Sequence, residues 1–277
     1  MAFAPDPTAH PSGLTARFAS LVHPHTGPCG LDVTCAVIAA HFTVGADPDG
    51  TDLRAVRSAL DALAARVTTP TFEGVADLLA RAGYGGSGAD YLSAAGSFLP
   101  AVLLRRRGLP ILLAVVAVEV ARRVGVGAQV VGMPGHVLVS TTVTPRVLAD
   151  PFHRRASLDQ ADARVLFERV HGGRTDWRDS FLDPIGPRAV LDRILANLAR
   201  RYRADKEHRK EATALGLRCL LPGIDLDARV SLAGALARSG AFDRAASELE
   251  AVAAVELEST DPDALRARAE RWRARLN

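Results

Sequence analysis

His136 and Asp150 are the residues whose types and surroundings point most directly to chemistry. The histidine follows Met133-Pro134-Gly135 and opens the apolar run V-L-V-S-T; the aspartate ends R-V-L-A-D and is followed by Pro151-Phe152. An imidazole can take up and return a proton near neutral pH, and a carboxylate bonded to it holds the ring in one tautomer. The M-P-G turn places His136 at a loop-to-strand junction, a usual position for a side chain that must face a ligand. A hairpin centred on residue 143 would set His136 opposite Asp150. Opposed residues of an antiparallel ladder share a face, with Cβ atoms roughly 4.5–5.5 Å apart, whereas a slip of one residue would turn one of them away. The same pair also has a bland reading, a buried histidine satisfied by a carboxylate that ties two strands together.

Three further sets of residues invite chemistry. Glu119 is the lone charge in the apolar run that starts at Pro110. A buried carboxylate must be paired or protonated, so a partner from Arg105–Arg107 or from a neighbouring helix is expected, with a pocket role as the alternative. Arg107 and Pro110 stand at the start of that run, where a basic side chain and a helix N-terminus together could hold an anion; a solvated basic turn explains them equally. The cluster His23, His25, Cys29, Cys35 and His41 has zinc-type ligands. Its spacing matches no compact zinc motif, and residues six apart, such as Cys35 and His41, cannot share a helix face at about 100° per residue. No metal and no other cofactor is expected.

The elements that position these residues follow from periodicity. Residues 1–13 hold three prolines and little apolar material, which predicts a tail over 1–20 apart from a short helix over 14–22. Asp32 suits the N-cap of a helix reaching Phe42. Leu53, Val56, Leu60, Leu63 and Val67 mark an amphipathic helix, and another runs from Phe72 to Ala82. After Gly108, Pro110 fits the first helical turn. Ile111 to Val124 is apolar on nearly every side until Glu119, so this helix should be buried all round. Strands are expected over 128–133, 136–142 and 147–150, then a helix over 158–170 and a linker over 174–187. Everything beyond is helical. In the segment 229–255, Leu232, Leu236, Gly240, Phe242, Ala245, Ala246 and Leu249 give two short helices hinged at a glycine, in the manner of a tetratricopeptide repeat.

Composition narrows the function classes. Hydrophobic residues make up 48% of the 277, enough for a core of one or two domains. The net charge is +3, with 34 basic residues almost balanced by 31 acidic ones, so no nucleic-acid-binding face is expected. The three cysteines suggest no disulfide framework and fit a reducing, cytoplasmic setting. No signal peptide is read at the N-terminus, and the longest apolar run falls short of a membrane span.

Taken in order, R-R-R-G-L-P-I-L-L-A-V-V-A-V-E-V-A-R-R-V-G, M-P-G-H-V-L-V and A-D-P-F resemble the transglutaminase-like superfamily, and within it the SirB-one family, which joins such a domain to a tetratricopeptide tail. The resemblance covers Leu31 to the C-terminus and departs at Gly96-Ser97, where members commonly read N-S. It implies an α+β fold: a transglutaminase-like (cysteine-protease-like) domain over 21–186 with a small antiparallel sheet, then an all-α tail over 187–277. It also implies a cysteine, a histidine and an aspartate as the site. The histidine and aspartate match His136 and Asp150. The G-x-C seat matches Gly108-Leu109-Pro110, and residues 108–118 contain no Cys, Ser, Thr, Asp or Glu. Without a thiolate on that helix, cysteine acyl transfer is not expected. The leading expectation is a catalytically degenerate domain with a binding or regulatory role, with a protein or peptide partner on the helical tail, and neither nucleic acid nor membrane. The alternative is an amide- or peptide-bond hydrolase or acyl transferase using His136 and Asp150, with water or a displaced Cys29 or Cys35 as nucleophile.

Overall fold

The computed structural model describes residues 12–23, 30–43, 51–255 and 261–276. The chain divides into two compact units, Pro28–Ile194 and the combination of Met1–Gly27 with Leu195–Asn277.

The larger unit opens with α2 (Leu31–Ala40), α3 (Thr51–Ala64), α4 (Phe72–Arg81) and α5 (Leu99–Arg105). These pack around α6 (Pro110–Arg123). Pro110 sits in its first turn, and every residue from Pro110 to Ala117 is buried. A helix with no polar face must be covered on all sides, and α6 meets this demand with α2–α5 and with β1 and β2 of the sheet. Val124 and Gly125 close it, the latter at φ +72°.

The sheet is a four-stranded antiparallel meander, β1 (Ala128–Val131), β2 (Leu138–Thr141), β3 (Leu148–Asp150) and β4 (Arg155–Leu158), in spatial order 1-2-3-4. Val131, Leu138, Leu148 and Leu158 form one apolar layer with Ala163, Leu166 and Phe167 of α7 (Gln160–His171). Asp159 caps α7 by accepting from Asp162 N, and Asp162 answers from the third position. The strands are shorter than periodicity predicts, and β4 was not anticipated: R-A-S-L is too short to separate from the loop before α7.

The register differs from the expected one. Val139 pairs with Ala149 and Ser140 with Leu148, so the ladder runs two residues out of step with a hairpin centred on 143. His136 lies before β2, its amide bonded back to Met133 O at 3.1 Å. A displacement of two preserves the alternation of faces, and His136 still shares the face of Asp150.

Asp32 does not cap α2. Gly30 stands at the N-cap, and Asp32, within the first turn, accepts from Val33 N through Oδ1 and from Arg123 through Oδ2, at 2.8 Å each. Glu119 pairs neither with Arg105–Arg107 nor with another helix. Its Oε2 accepts from Arg122 and Arg123 of its own helix, at 2.8 and 2.7 Å.

In the other unit, α1 (Ser12–Val22) occupies the end of the stretch expected as a tail, with Leu14, Phe18 and Val22 buried. The unit boundary falls within α8 (Pro187–Ala204). The helices α9 (His208–Cys219), α10 (Leu226–Arg238), α11 (Phe242–Ala253) and α12 (Pro262–Arg273) follow, each packed on the next. Ala233, Ala246, Leu249 and Ala269 form a core shared by α10, α11 and α12, and three of the four are alanines. Gly240, at φ +87°, makes the turn between α10 and α11.

Candidate functional site

The apolar layer between the sheet and α7 ends where β2 begins and β3 ends, and a polar cluster begins there. Asp150 is the last residue of β3 and is fully buried. Its two oxygens have different partners. Oδ1 accepts from the backbone N–H of Phe152 at 3.0 Å and of His153 at 3.2 Å, the tight turn an Asp side chain makes with its own following backbone. Oδ2 faces two imidazoles, His136 Nε2 at 3.0 Å and His153 Nδ1 at 2.6 Å.

Burial alone would raise the Asp150 pKa; hydrogen bonds and charge from His136 and His153 outweigh it and hold the carboxyl below its ordinary value. An ionised carboxylate only accepts, so both nitrogens facing it carry hydrogen. His136 is thereby fixed with its proton on Nε2, and Nδ1 is left as the lone pair of that ring in its neutral form.

The surroundings hold the rings in place. Phe152 lies edge-on to His136, with centroids 5.7 Å apart, and His153 stacks on His136 at 5.2 Å. Arg193 donates to Met133 O and His136 O, pinning the turn that presents the histidine; burial lowers its pKa. Tyr91 reaches the same neighbourhood through its ring contact with Phe152 at 6.0 Å. His136 is buried, whereas the His153 side chain is 44% exposed. A cavity of about 340 Å³ opens beside it, lined by Asp150, His153, Arg155, Asp159, Asp162 and Leu166.

The remaining expected residues do not join this cluster. Glu119 belongs to the ion-pair network of Asp32, Arg122 and Arg123. Arg107 donates to Ser87 Oγ and to the buried Asp90 carboxylate, at 2.7 and 3.0 Å, and so closes the loop over 87–90. Pro110 is buried in the first turn of α6. That end of α6 comes near the site through backbone: Gly86 N donates to Phe152 O at 3.0 Å, and a Cβ on Gly86 would meet Gly108 O at 2.7 Å. Of the N-terminal histidine and cysteine cluster, in which no metal is expected, His25 and Cys29 lie outside the described residues. Cys35 is buried in α2, and His41 Nδ1 bonds Val37 O at 2.8 Å. Among the described residues, the ligand atoms that converge belong instead to His136, Asp150 and His153, all within 4.8 Å of one another.

His153, Arg193 and Tyr91 escaped the sequence reading. The signal for His153 was local: it is the third residue after an aspartate in D-P-F-H, where the Asp turn brings it back onto the carboxylate. Arg193 and Tyr91 arrive from 43 residues after and 59 before Asp150, and nothing in their own segments marks them.

Two UPF0162 proteins from strains of Xylella fastidiosa are each 39% identical over 125 residues, 44% of this chain and 44% of theirs. A UPF0162 protein of Pseudomonas aeruginosa is 33% identical over 111 residues, 40% of each chain. The matched segments thus span less than half the length of these curated relatives. No solved structure matches significantly. The family model described as transglutaminase-like superfamily matches residues 53–196, more than half of the 277, and takes in α6, the sheet, His136, Asp150 and His153; the chain belongs to the transglutaminase-like superfamily.

Proposed function

We propose that this is a transglutaminase-like domain without cysteine chemistry, serving a binding or regulatory role in the arrangement of the SirB-one family. The observation that carries the reading is the start of α6. Gly108-Leu109-Pro110 stands where a G-x-C seat is expected, Pro110 is a buried hydrocarbon ring, and the next side chain able to ionise is Glu119. A dyad without a nucleophile is only part of an acyl-transfer site. The helices from α9 onward, hinged at Gly240 with small residues between them, form a tetratricopeptide-like tail suited to a protein or peptide partner. The setting is cytoplasmic, and no nucleic acid is bound. Among the described residues no helix is long and apolar enough to cross a membrane.

The test is labelling with iodoacetamide and with a thiol-reactive amide mimic, on the full chain and on His136→Ala. Slow labelling that is equal in both proteins is the expected result. Rapid labelling of one cysteine, strongly slowed in His136→Ala, would mean a displaced nucleophile and would overturn the reading.

A second reading, hydrolysis of an amide bond by water, is favoured by one observation: the Asp150 contact leaves His136 Nδ1 as a free base. It predicts amide hydrolysis that is lost in His136→Ala and unchanged when Cys29 and Cys35 are replaced by serine.

A further inference from the structure

We infer that His136, Asp150 and His153 form a three-ligand site for a divalent transition-metal ion of the zinc type, with its remaining coordination position toward the cavity beside His153. This goes beyond the binding reading and does not require it.

The donor set comes first. Two imidazoles and one carboxylate suit zinc and its first-row neighbours, and three protein ligands with one open position is the form such ions take when they bind water or a further ligand. Four-coordinate bonds of about 2.0–2.2 Å put ligand atoms roughly 3.4 Å apart. Here Nε2 of His136 and Nδ1 of His153 lie 3.0 and 2.6 Å from Asp150 Oδ2, and all three atoms fall within 4.8 Å. Small side-chain rotations, easiest for the part-exposed His153, open the space an ion needs.

Support around the ligands comes second. A ligating carboxylate is usually held by further hydrogen bonds. Asp150 Oδ1 is held by two backbone amides, which leaves Oδ2 for the ion. His136 stands on a turn pinned by Arg193 through two backbone carbonyls, so two of the three donors are fixed before any ion arrives. The third faces the cavity, which supplies an entry path.

Proton placement gives a signature that a merely structural cluster would lack. In the metal-free protein each imidazole turns an N–H toward Asp150. To bind an ion, His136 must present a lone pair on Nε2 and His153 one on Nδ1. In the neutral rings the protons then move to His136 Nδ1 and His153 Nε2.

The experiment uses the full chain stripped with chelator and titrated with Zn²⁺, then with Co²⁺ as an optical probe. Histidine ¹⁵N shifts are recorded before and after. The expected result is one ion per chain, visible Co²⁺ absorption of four- or five-coordinate intensity, and a tautomer change at His136 and His153. His153→Ala and Asp150→Asn should weaken binding by more than the roughly 10–100-fold that loss of an outer-shell partner costs. Circular dichroism checks that both variants are folded, and part-exposed His153 is the safer of the two. No stoichiometric binding, weak octahedral Co²⁺ absorption, or affinity untouched in His153→Ala would each overturn the inference. None of these results bears on cysteine labelling, so the binding reading stands or falls separately.

Discussion

Arg123 Nη2 lies 2.8 Å from Asp32 Oδ2, joining the last turn of α6 to the first turn of α2 across 91 residues of sequence. The same guanidinium reaches Glu119 and Asp61 at 2.7 Å each. Burial alone would lower the Arg123 pKa, but these three carboxylates raise it above the ordinary arginine value. Removing the cation would leave two almost wholly buried carboxylates, Asp32 and Glu119, to the largely solvent-exposed guanidiniums of Arg57 and Arg122. Arg123→Met should therefore destabilise the larger unit by about 3–5 kcal/mol. Arg122, whose side chain is 61% exposed, should cost only about 0–1 kcal/mol when changed to Ala. Urea unfolding of the two variants checks the contrast, and equal losses would refute it.

Gly86 sets how closely the loop before α5 approaches the site. A Cβ there would fall 2.0 Å from Phe152 Cε2 and 2.7 Å from Gly108 O. The phenyl ring can swing away, but the Gly108 carbonyl is backbone and cannot yield cheaply. Gly86→Ala should cost about 1–3 kcal/mol and should move Phe152 off the edge of His136. Proton NMR of the His136 ring reads that displacement; an unchanged ring shift in a folded variant would contradict it.

His41 follows α2, and burial lowers its pKa, only partly offset by its bond to Val37 O. The unfolded chain therefore binds more protons than the folded one between the ordinary histidine value of about 6.5 and the lower folded value. The associated stability is complete above about 6.5 and is lost as the pH falls toward the folded pKa. His41→Gln does not titrate, so its urea midpoint should decline less steeply on acidification than the wild-type midpoint. Parallel declines would remove His41 from the acid response.

Burial pushes the Cys219 thiol up to about 12, with the charges of Arg229, Glu248, Arg218 and Asp225 as smaller influences. Its alkylation at pH 8 should be slower than that of a free thiol by a factor on the order of 10³. Mass spectrometry of the labelled peptide measures this directly. Fast modification of Cys219 would show that the helices around it open readily.

The sequence carried the large features of the fold further than the details of the site. The burial of α6 was legible because a run with no polar face has only one stable environment. The His136–Asp150 contact was legible through parity, since the register error of two residues left both on one face. The partner of Glu119 was misread although helical spacing offered it: arginines three and four residues on lie over the same helix face. Asp32 carries the type of an N-cap, but it sits inside the first turn: Oδ1 accepts from the Val33 amide while Oδ2 takes a partner 91 residues away. Such long-range partners leave no trace in a short window, and the same holds for Arg193 and Tyr91.

The divided carboxylate of Asp150 makes one substitution unusually informative. Asparagine keeps an oxygen for the amides of Phe152 and His153 but presents an NH₂ group, a donor, to two ring nitrogens that already carry hydrogen. The turn should survive while the imidazoles lose their shared acceptor and must release or re-tautomerise their protons. Alanine would remove both halves together. Comparing the two variants separates the scaffold of this site from its proton chemistry within a single side chain.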